Sequence, residues 1–222
     1  MKYWFYYVAK VILWSIFRGG FGLEVSGQAH VPKRGAFIIA SNHVSFLDPP
    51  VVGVACPRRV VFMARADLFR QPLLGMVLRG LHVMPILRGE SDVSAIRAAV
   101  SQLRRGEAVA IFPEGGRQAS GALGMARRGV GLLAITAKAP IVPAVVSGTY
   151  EALPRHARRV RLAKIRVAFG PPIAYTDASL SRQERGRRHH EALAEAVSAA
   201  WRRLAAHGAF AQGRVSSSHD HD

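Results

Sequence analysis

One histidine and one aspartate, His43 and Asp48, stand five residues apart, directly after the apolar run of residues 37–40. Histidine is the side chain whose ordinary pKa lies nearest neutrality, and a carboxylate bonded to one ring nitrogen orients the ring and stabilises the imidazolium. Such a pair can take a proton from a hydroxyl group. Because the chain has nine His, a chance spacing of this kind is not rare, and the pair needs support from elsewhere.

A second polar turn follows a second apolar run. Residues 108–112 (AVAIF) lead directly into residues 113–117 (PEGGR). Two glycines between Glu114 and Arg117 let the backbone turn sharply and present its N–H groups to an anion. A guanidinium can bind a phosphate through two nitrogens at once. The turn is therefore a candidate phosphate site, although an ordinary turn with a surface ion pair would have the same sequence.

The elements that position these residues are short apolar runs alternating with helical segments. The runs do not alternate in polarity, which predicts a mainly parallel sheet flanked by helices, an α/β fold. Both polar turns would then lie at strand ends, where sites of such folds are usually found. Asp48 also precedes two prolines that can open a helix, so it could cap that helix as well as orient His43. The predicted strands are residues 23–26, 36–41, 59–64, 82–87, 108–112, 141–146 and 165–169. Short helices are predicted within residues 67–79, and the longer predicted helices are residues 92–104, 129–139 and 180–207.

The N-terminal segment predicts a helix that seeks a membrane. Residues 3–17 are apolar apart from Lys10 and Ser15, and Arg18 with two glycines ends the run. Fifteen helical residues reach only ~22 Å, less than the ~30 Å hydrocarbon core, so a shallow or re-entrant anchor fits better than a full span. Lys10 and Arg18 could reach lipid phosphates. The alternative is a helix that simply packs on the domain.

Three segments follow from these observations. We expect a membrane-anchoring helix in residues 1–21, one α/β domain in residues 22–208 and a disordered tail in residues 209–222.

The charge balance predicts a polyanionic neighbour. The chain carries 31 basic and 14 acidic side chains, a net charge of +17. Nucleic acid, an anionic membrane surface or a phosphorylated substrate could each supply the negative charge. The basic segment of residues 155–166 could face a membrane, a nucleic acid or only solvent. The single Cys56 excludes an intramolecular disulfide and a cysteine cluster for a metal.

Four separated patches together resemble the glycerolipid acyltransferases, the family typified by 1-acylglycerol-3-phosphate acyltransferase. The family's Asn-His-x4-Asp motif is matched by residues 42–48, and its Phe-Pro-Glu-Gly-Thr-Arg motif by residues 112–117. Two weaker motifs are matched in the right order by residues 80–88 and by a Val-Pro at residues 142–143. Gly116 stands where the family has Thr, and Gln118 where it has Ser, so the choice of acyl acceptor is less secure than the family.

The resemblance implies transfer of a fatty acyl group from acyl-CoA or acyl carrier protein to a hydroxyl of a lysophospholipid, with 1-acylglycerol 3-phosphate as the first candidate. Phospholipid biosynthesis is the implied pathway. His43 would be the general base and Asp48 would orient it. The residues implied in binding the headgroup are Arg88, Glu114, Gly115 and Arg117. No metal or organic cofactor is expected.

The same resemblance implies an enzyme associated with an anionic membrane, at the cytoplasmic face of the cell membrane. Two alternatives stay open. The acceptor could instead be glycerol 3-phosphate, a headgroup-bearing lysophospholipid, a glycolipid or an amino-acid lipid. Charge alone would also suit a noncatalytic, basic protein that binds membranes or nucleic acid, but it explains none of the motif spacing, and nucleic acid is not expected as a partner.

Overall fold

The computed structural model describes residues 3–86, 92–157, 159–176 and 187–207. Its strands are β1 (Glu24–Ser26), β2 (Phe37–Ser41), β3 (Val60–Val61), β4 (Met63–Arg65), β5 (Met84–Ile86), β6 (Ala108–Ile111), β7 (Ile141–Ser147) and β8 (Arg166–Phe169). Its helices are α1 (Trp4–Phe21), α2 (Asp48–Ala55), α3 (Pro72–Gly80), α4 (Asp92–Arg104), α5 (Gly129–Ala137), α6 (Thr149–Ala152) and α7 (Arg187–Ala206), with 3-10 turns at Gln28–His30 and Ala66–Arg70. The predicted tail, residues 209–222, lies outside the described residues.

Six strands form the main sheet in the order β1-β8-β7-β2-β6-β3, and β4 pairs with β5 in a small second sheet. Every pairing is parallel except that of β7 with β8. The prediction of a mainly parallel sheet is therefore confirmed. β2 lies between β6 and β7, and all five of its residues are buried, as expected for an apolar run without alternation.

Successive side chains of β2 enter two separate cores. Phe37 and Ile39 belong to the core beneath α1 and α2, whereas Ile38 belongs to the core beneath α4, α5 and α7. In the second core, the buried Trp201 of α7 donates its indole N–H to the Ala40 carbonyl at 2.9 Å. Both faces of the sheet are thus covered, and the end of β2 is held in place just before His43.

One predicted strand is divided in the structure. The strand predicted at residues 59–64 changes partner at Phe62, because β3 pairs with β6 whereas β4 pairs with β5. The short helices predicted within residues 67–79 are a 3-10 turn and α3, separated at Gln71, which is extended with ψ 123°. The helical region is disfavoured for a residue that precedes proline. The 3-10 turn therefore ends before Gln71, and a new helix begins at Pro72.

The N-terminal helix α1 continues past the two glycines that end its apolar run. It stops at Phe21, where Gly22 adopts a left-handed conformation with φ 56°. Tyr6 and Phe17 pack inward, whereas the other side exposes Trp4, Tyr7, Val8, Val11, Ile12 and Ile16. Within the described residues, no helix has the length and apolar character needed to cross a membrane.

The two cations of α1 that were expected to reach lipid phosphates contact the protein instead. The Lys10 ammonium donates to the Cys56 carbonyl at the end of α2, and Arg18 donates to the Leu23 carbonyl at 2.8 Å. Burial lowers the pKa of Lys10, as expected for an amine removed from water. α1 is therefore attached to the domain along one side.

Candidate active site

His43 and Asp48 meet in the loop between β2 and α2. The His43 Nδ1 lies 2.8 Å from the Asp48 Oδ2, and the same oxygen accepts the backbone N–H groups of Val44 and Ser45, both at 2.7 Å. Both amides come from the loop and neither from the helix, and no side chain caps α2. Asp48 therefore orients His43 and does not cap the helix.

This geometry decides which nitrogen of His43 carries the proton. A carboxylate oxygen only accepts hydrogen bonds, so Nδ1 holds the hydrogen in the neutral ring and Nε2 is left as the proton acceptor. Among the described residues, no hydrogen bond engages Nε2. The ring stacks on Phe112 with 4.3 Å between centroids and 26° between planes. The His43 side chain is 19% exposed and Asp48 is fully buried, so a partly accessible imidazole rests on a buried carboxylate.

Two buried polar side chains hold the loop around His43. The Asn42 amide donates to the Val146 carbonyl at 3.0 Å and accepts the Val146 N–H at 2.8 Å, which joins the end of β2 to β7. The Ser45 hydroxyl donates to the Leu153 carbonyl at 2.8 Å and accepts the N–H of Leu47 at 3.1 Å. Ser45 is thus engaged on both sides and acts as a loop support.

Glu114 connects the two polar turns. In the parallel pairing of β2 with β6, Ala40 lies opposite Ile111, so the chain three residues beyond each brings His43 beside Glu114. The carboxylate accepts the N–H of His43 at 3.1 Å on one oxygen and that of Gly124 at 3.0 Å on the other. Burial raises the pKa of Glu114 against the opposing effect of these bonds. Both oxygens are engaged within the protein, and a direct headgroup contact of Glu114 stays a prediction.

Arg117 projects on the His43 side of the same turn. Its guanidinium carbon lies 3.5 Å from the centroid of the exposed Phe46 ring. Its Nη1 is buried and has no hydrogen-bond partner among the described residues. Burial and the neighbouring positive charge of Arg155 lower the pKa of Arg117, while Asp48 opposes them. A bound anion would accept a hydrogen bond from the unpaired donor and would reduce the repulsion between Arg117 and Arg155. The geometry therefore suits phosphate binding.

Comparisons with known proteins agree with this geometry. A family model described as Acyltransferase matches residues 22–147. The chain belongs to the acyltransferase family. It is 31% identical over 191 residues to the 1-acyl-sn-glycerol-3-phosphate acyltransferase of Bacillus subtilis, covering 85% of this chain and 90% of that protein. The alpha form of the same enzyme from Homo sapiens is 31% identical over 157 residues, covering 69% of this chain and 56% of that protein.

A solved structure extends the similarity to the fold. The crystal structure of the 1-acyl-sn-glycerophosphate acyltransferase of Thermotoga maritima matches with a TM-score of 0.69 and 25% identity, covering 91% of this chain and 83% of that one. The predicted family and α/β fold are confirmed, and the chain is an O-acyltransferase.

The remaining predicted residues of this acyltransferase have different outcomes. Gly115 is exposed and left-handed with φ 80°, and a Cβ there would lie 2.4 Å from the guanidinium of Arg127. Only glycine fits this position, so the turn keeps its sharp form. At Gly116 a Cβ would meet no heavy atom within 4 Å, so the family's threonine would fit without displacement. Arg88 lies outside the described residues.

Two arginines of the site were missed from the sequence. Arg127 packs against Gly115 through its guanidinium and donates its backbone N–H to the Pro113 carbonyl at 2.8 Å. Arg155 acts on Arg117 from the loop after α6. The pair of arginines before α5 was a usable signal for the first, whereas the second could not be assigned without the fold. Among the described residues, no group of three or more His, Cys, Asp or Glu is arranged as metal ligands.

Proposed function

We propose that this enzyme transfers a fatty acyl group from acyl-CoA or acyl carrier protein to the free hydroxyl of a lysophospholipid, with 1-acylglycerol 3-phosphate as the first candidate. The observation that carries the proposal is the bond from His43 Nδ1 to Asp48, which leaves Nε2 as a proton acceptor at the surface. The relatives named as 1-acyl-sn-glycerol-3-phosphate acyltransferases support the choice of acceptor.

The reaction needs one base and no acyl-enzyme. His43 Nε2 takes the proton of the acceptor hydroxyl while the oxygen attacks the thioester carbonyl carbon. The imidazolium that forms is stabilised by the buried charge of Asp48. When the tetrahedral intermediate collapses, the carbon–sulfur bond breaks and the imidazolium returns the proton to the leaving thiolate. The products are an ester and a free thiol, and we propose no metal or organic cofactor for this step.

The acceptor's phosphate would bind at the turn of residues 113–117. Arg117 supplies an unpaired buried donor, and the exposed Gly115 lets a ligand approach the backbone closely. Glu114 holds this turn against the loop of His43, so the phosphate site and the base keep a fixed separation. Fixing two reactants in this way can supply several kcal/mol of the barrier reduction. We extend the phosphate site to Arg88 on the family resemblance alone.

We further propose that the outward side of α1 anchors the enzyme on an anionic membrane, at the cytoplasmic face of the cell membrane. Residues 1–21 would form this anchor and the domain that begins at residue 22 would hold the chemistry. Trp4, Val11 and Ile12 are exposed on that side, although apolar side chains of this size are usually buried in a water-soluble domain.

The test uses the purified protein with both donor types and a panel of lysolipids, glycerol 3-phosphate included, and follows the products by mass spectrometry. We expect acylation of 1-acylglycerol 3-phosphate, and a loss of at least ~100-fold in His43→Ala, as is typical of a general base. His207→Ala is the matched control, because His207 is exposed and bonds only the Arg203 carbonyl among the described residues.

Three outcomes separate the alternatives. Full activity in His43→Ala would refute the mechanism. Turnover of a different acceptor would keep the mechanism and replace the substrate. Wild-type protein that acylates none of the acceptors with either donor would refute the proposed function.

A further inference from the structure

The connection between α6 and β8 carries positive charge beyond the Arg155 that acts on Arg117. Its described residues include three exposed arginines, Arg155, Arg159 and Arg161, interleaved with the apolar Val160 and Leu162, which are 54% and 78% exposed. We call the described residues of the segment 153–165 the basic loop. Among the described residues, none of the three arginines takes part in an ion pair. The next cation, Lys164, pairs with Glu24.

Both ends of the basic loop are fixed to elements with a proposed role. At its start, the Leu153 carbonyl accepts the hydroxyl of Ser45, inside the loop of His43. At its base, the N–H of Arg161 donates to the Ala152 carbonyl at 2.8 Å. At its end, the N–H of Ile165 donates to the carbonyl of Phe21, the last residue of α1, at 3.1 Å. The basic loop therefore lies between the candidate active site and the end of the apolar helix.

We infer that the basic loop docks on the surface of a membrane rich in anionic phospholipids and turns the open side of the His43 site toward the bilayer. Arginines bind lipid phosphates, while the apolar side chains between them enter the boundary with the acyl chains. The inference rests on the proposed function for its purpose, since an acceptor held in a bilayer has to be reached there. Binding itself needs no turnover, so it can be measured independently.

Two observations favour a lipid surface over a nucleic acid. Proteins that bind single strands combine positive charge with aromatic side chains on which bases stack, and residues 153–165 contain no Phe, Tyr or Trp. The loop also ends on α1, whose outward side is apolar for several turns. A cationic and apolar loop joined to a helix of this kind fits a bilayer better than a polar polyanion.

The experiment measures co-sedimentation of the full chain with two kinds of vesicle, pure phosphatidylcholine and an equimolar mixture of phosphatidylcholine with phosphatidylglycerol. We expect the double variant Arg159→Gln/Arg161→Gln to bind the mixed vesicles about 30-fold more weakly than wild type, from roughly fivefold per arginine. A second variant, Val160→Ser/Leu162→Ser, should bind both kinds of vesicle less tightly. Circular dichroism and the melting temperature confirm folding.

Matched variants separate the loop from other effects. Arg97→Gln/Arg104→Gln makes the same change in charge on the exposed side of α4, whose last residue lies near the opposite end of β6 from Glu114. We expect it to bind as wild type does. Val11→Ser/Ile12→Ser tests the proposed anchor on α1 by itself.

Equal binding by the Arg159/Arg161 variant and wild type would overturn the inference, whatever the activity. An equal loss in the α4 control would overturn it too, because net charge and not the loop would then be responsible. If the Arg159/Arg161 variant lost affinity for single-stranded DNA and not for vesicles, the loop would be a nucleic-acid surface. A wild-type enzyme that binds mixed vesicles through the loop but acylates nothing would refute the proposed function and leave this inference standing.

Discussion

Replacing Asp48 with Asn would remove the charge beneath His43 while nearly keeping its shape. The Asp48 Oδ2 accepts three N–H groups, whereas Oδ1 is buried with no hydrogen-bond partner among the described residues. The asparagine carbonyl must therefore take the Oδ2 position, because an NH2 group there would face three donors. The His43 ring keeps its orientation and tautomer, so the variant isolates the effect of charge.

The magnitude follows from the distance. A unit charge about 4 Å from an imidazolium stabilises it by ~4 kcal/mol at an effective dielectric of about 20, which is an upper estimate for this pair. Since the imidazolium exists only after proton transfer, most of this energy is lost from the transition state. We expect kcat to fall roughly 10²- to 10³-fold. Burying the new NH2 group without a partner costs about 1–3 kcal/mol, which lowers the melting temperature by roughly 5 °C.

Steady-state acyl transfer gives kcat, and nitrogen NMR of the His43 ring reads the tautomer. Glu107→Gln is the matched control, because it makes the same change just before β6, where the carboxylate only pairs with Arg59 among the described residues. Its kcat should stay within about twofold of wild type, because the pair lies at the opposite end of β6 from Glu114. A folded Asp48→Asn enzyme with the kcat of wild type would refute a role for the charge. A changed tautomer would refute the argument about orientation.

Two further variants test the supports of the site. Glu114→Gln should destabilise the protein by about 1–3 kcal/mol and lower kcat/KM, because an NH2 group then faces the N–H of either His43 or Gly124. Since burial raises the pKa of Glu114, the folded state keeps the proton of this carboxyl to higher pH than the unfolded state does. The contribution of Glu114 to the free energy of unfolding is therefore greatest at acid pH and declines as the pH rises through the raised pKa. The advantage of wild type over Glu114→Gln in denaturant unfolding should therefore shrink between acid and neutral pH, and an advantage that grew would contradict this sign. Asn42→Ala should lower the free energy of unfolding by about 2–5 kcal/mol in the same measurement, because the buried N–H and carbonyl of Val146 both lose their hydrogen-bond partner. A loss smaller than this range would mean that water replaces the amide.

Local patterns predicted much of the fold. Apolar runs such as residues 37–40 need both faces covered, and this requirement alone favours a parallel sheet over an antiparallel one. The partner of each strand is a different matter, because it depends on contacts distant in the chain. The run of residues 59–64 looks like one strand, yet its two parts pair with β6 and β5. Nothing in these six residues specifies which neighbouring strand pairs with which half.

The same limit explains what was missed in the site. Whether Asp48 caps a helix or orients a histidine depends on the direction of the Val44 and Ser45 amides, and both uses are compatible with the sequence. From the sequence, Glu114 near Arg117 could be a ligand of the headgroup or a partner in an ion pair. In the structure, the parallel register of β2 and β6 brings the N–H of His43 to the Glu114 carboxylate. The two motifs therefore act as one unit because of a strand pairing that neither motif contains. It follows that a change in Glu114 should be felt at His43, whether or not Glu114 also contacts the acceptor.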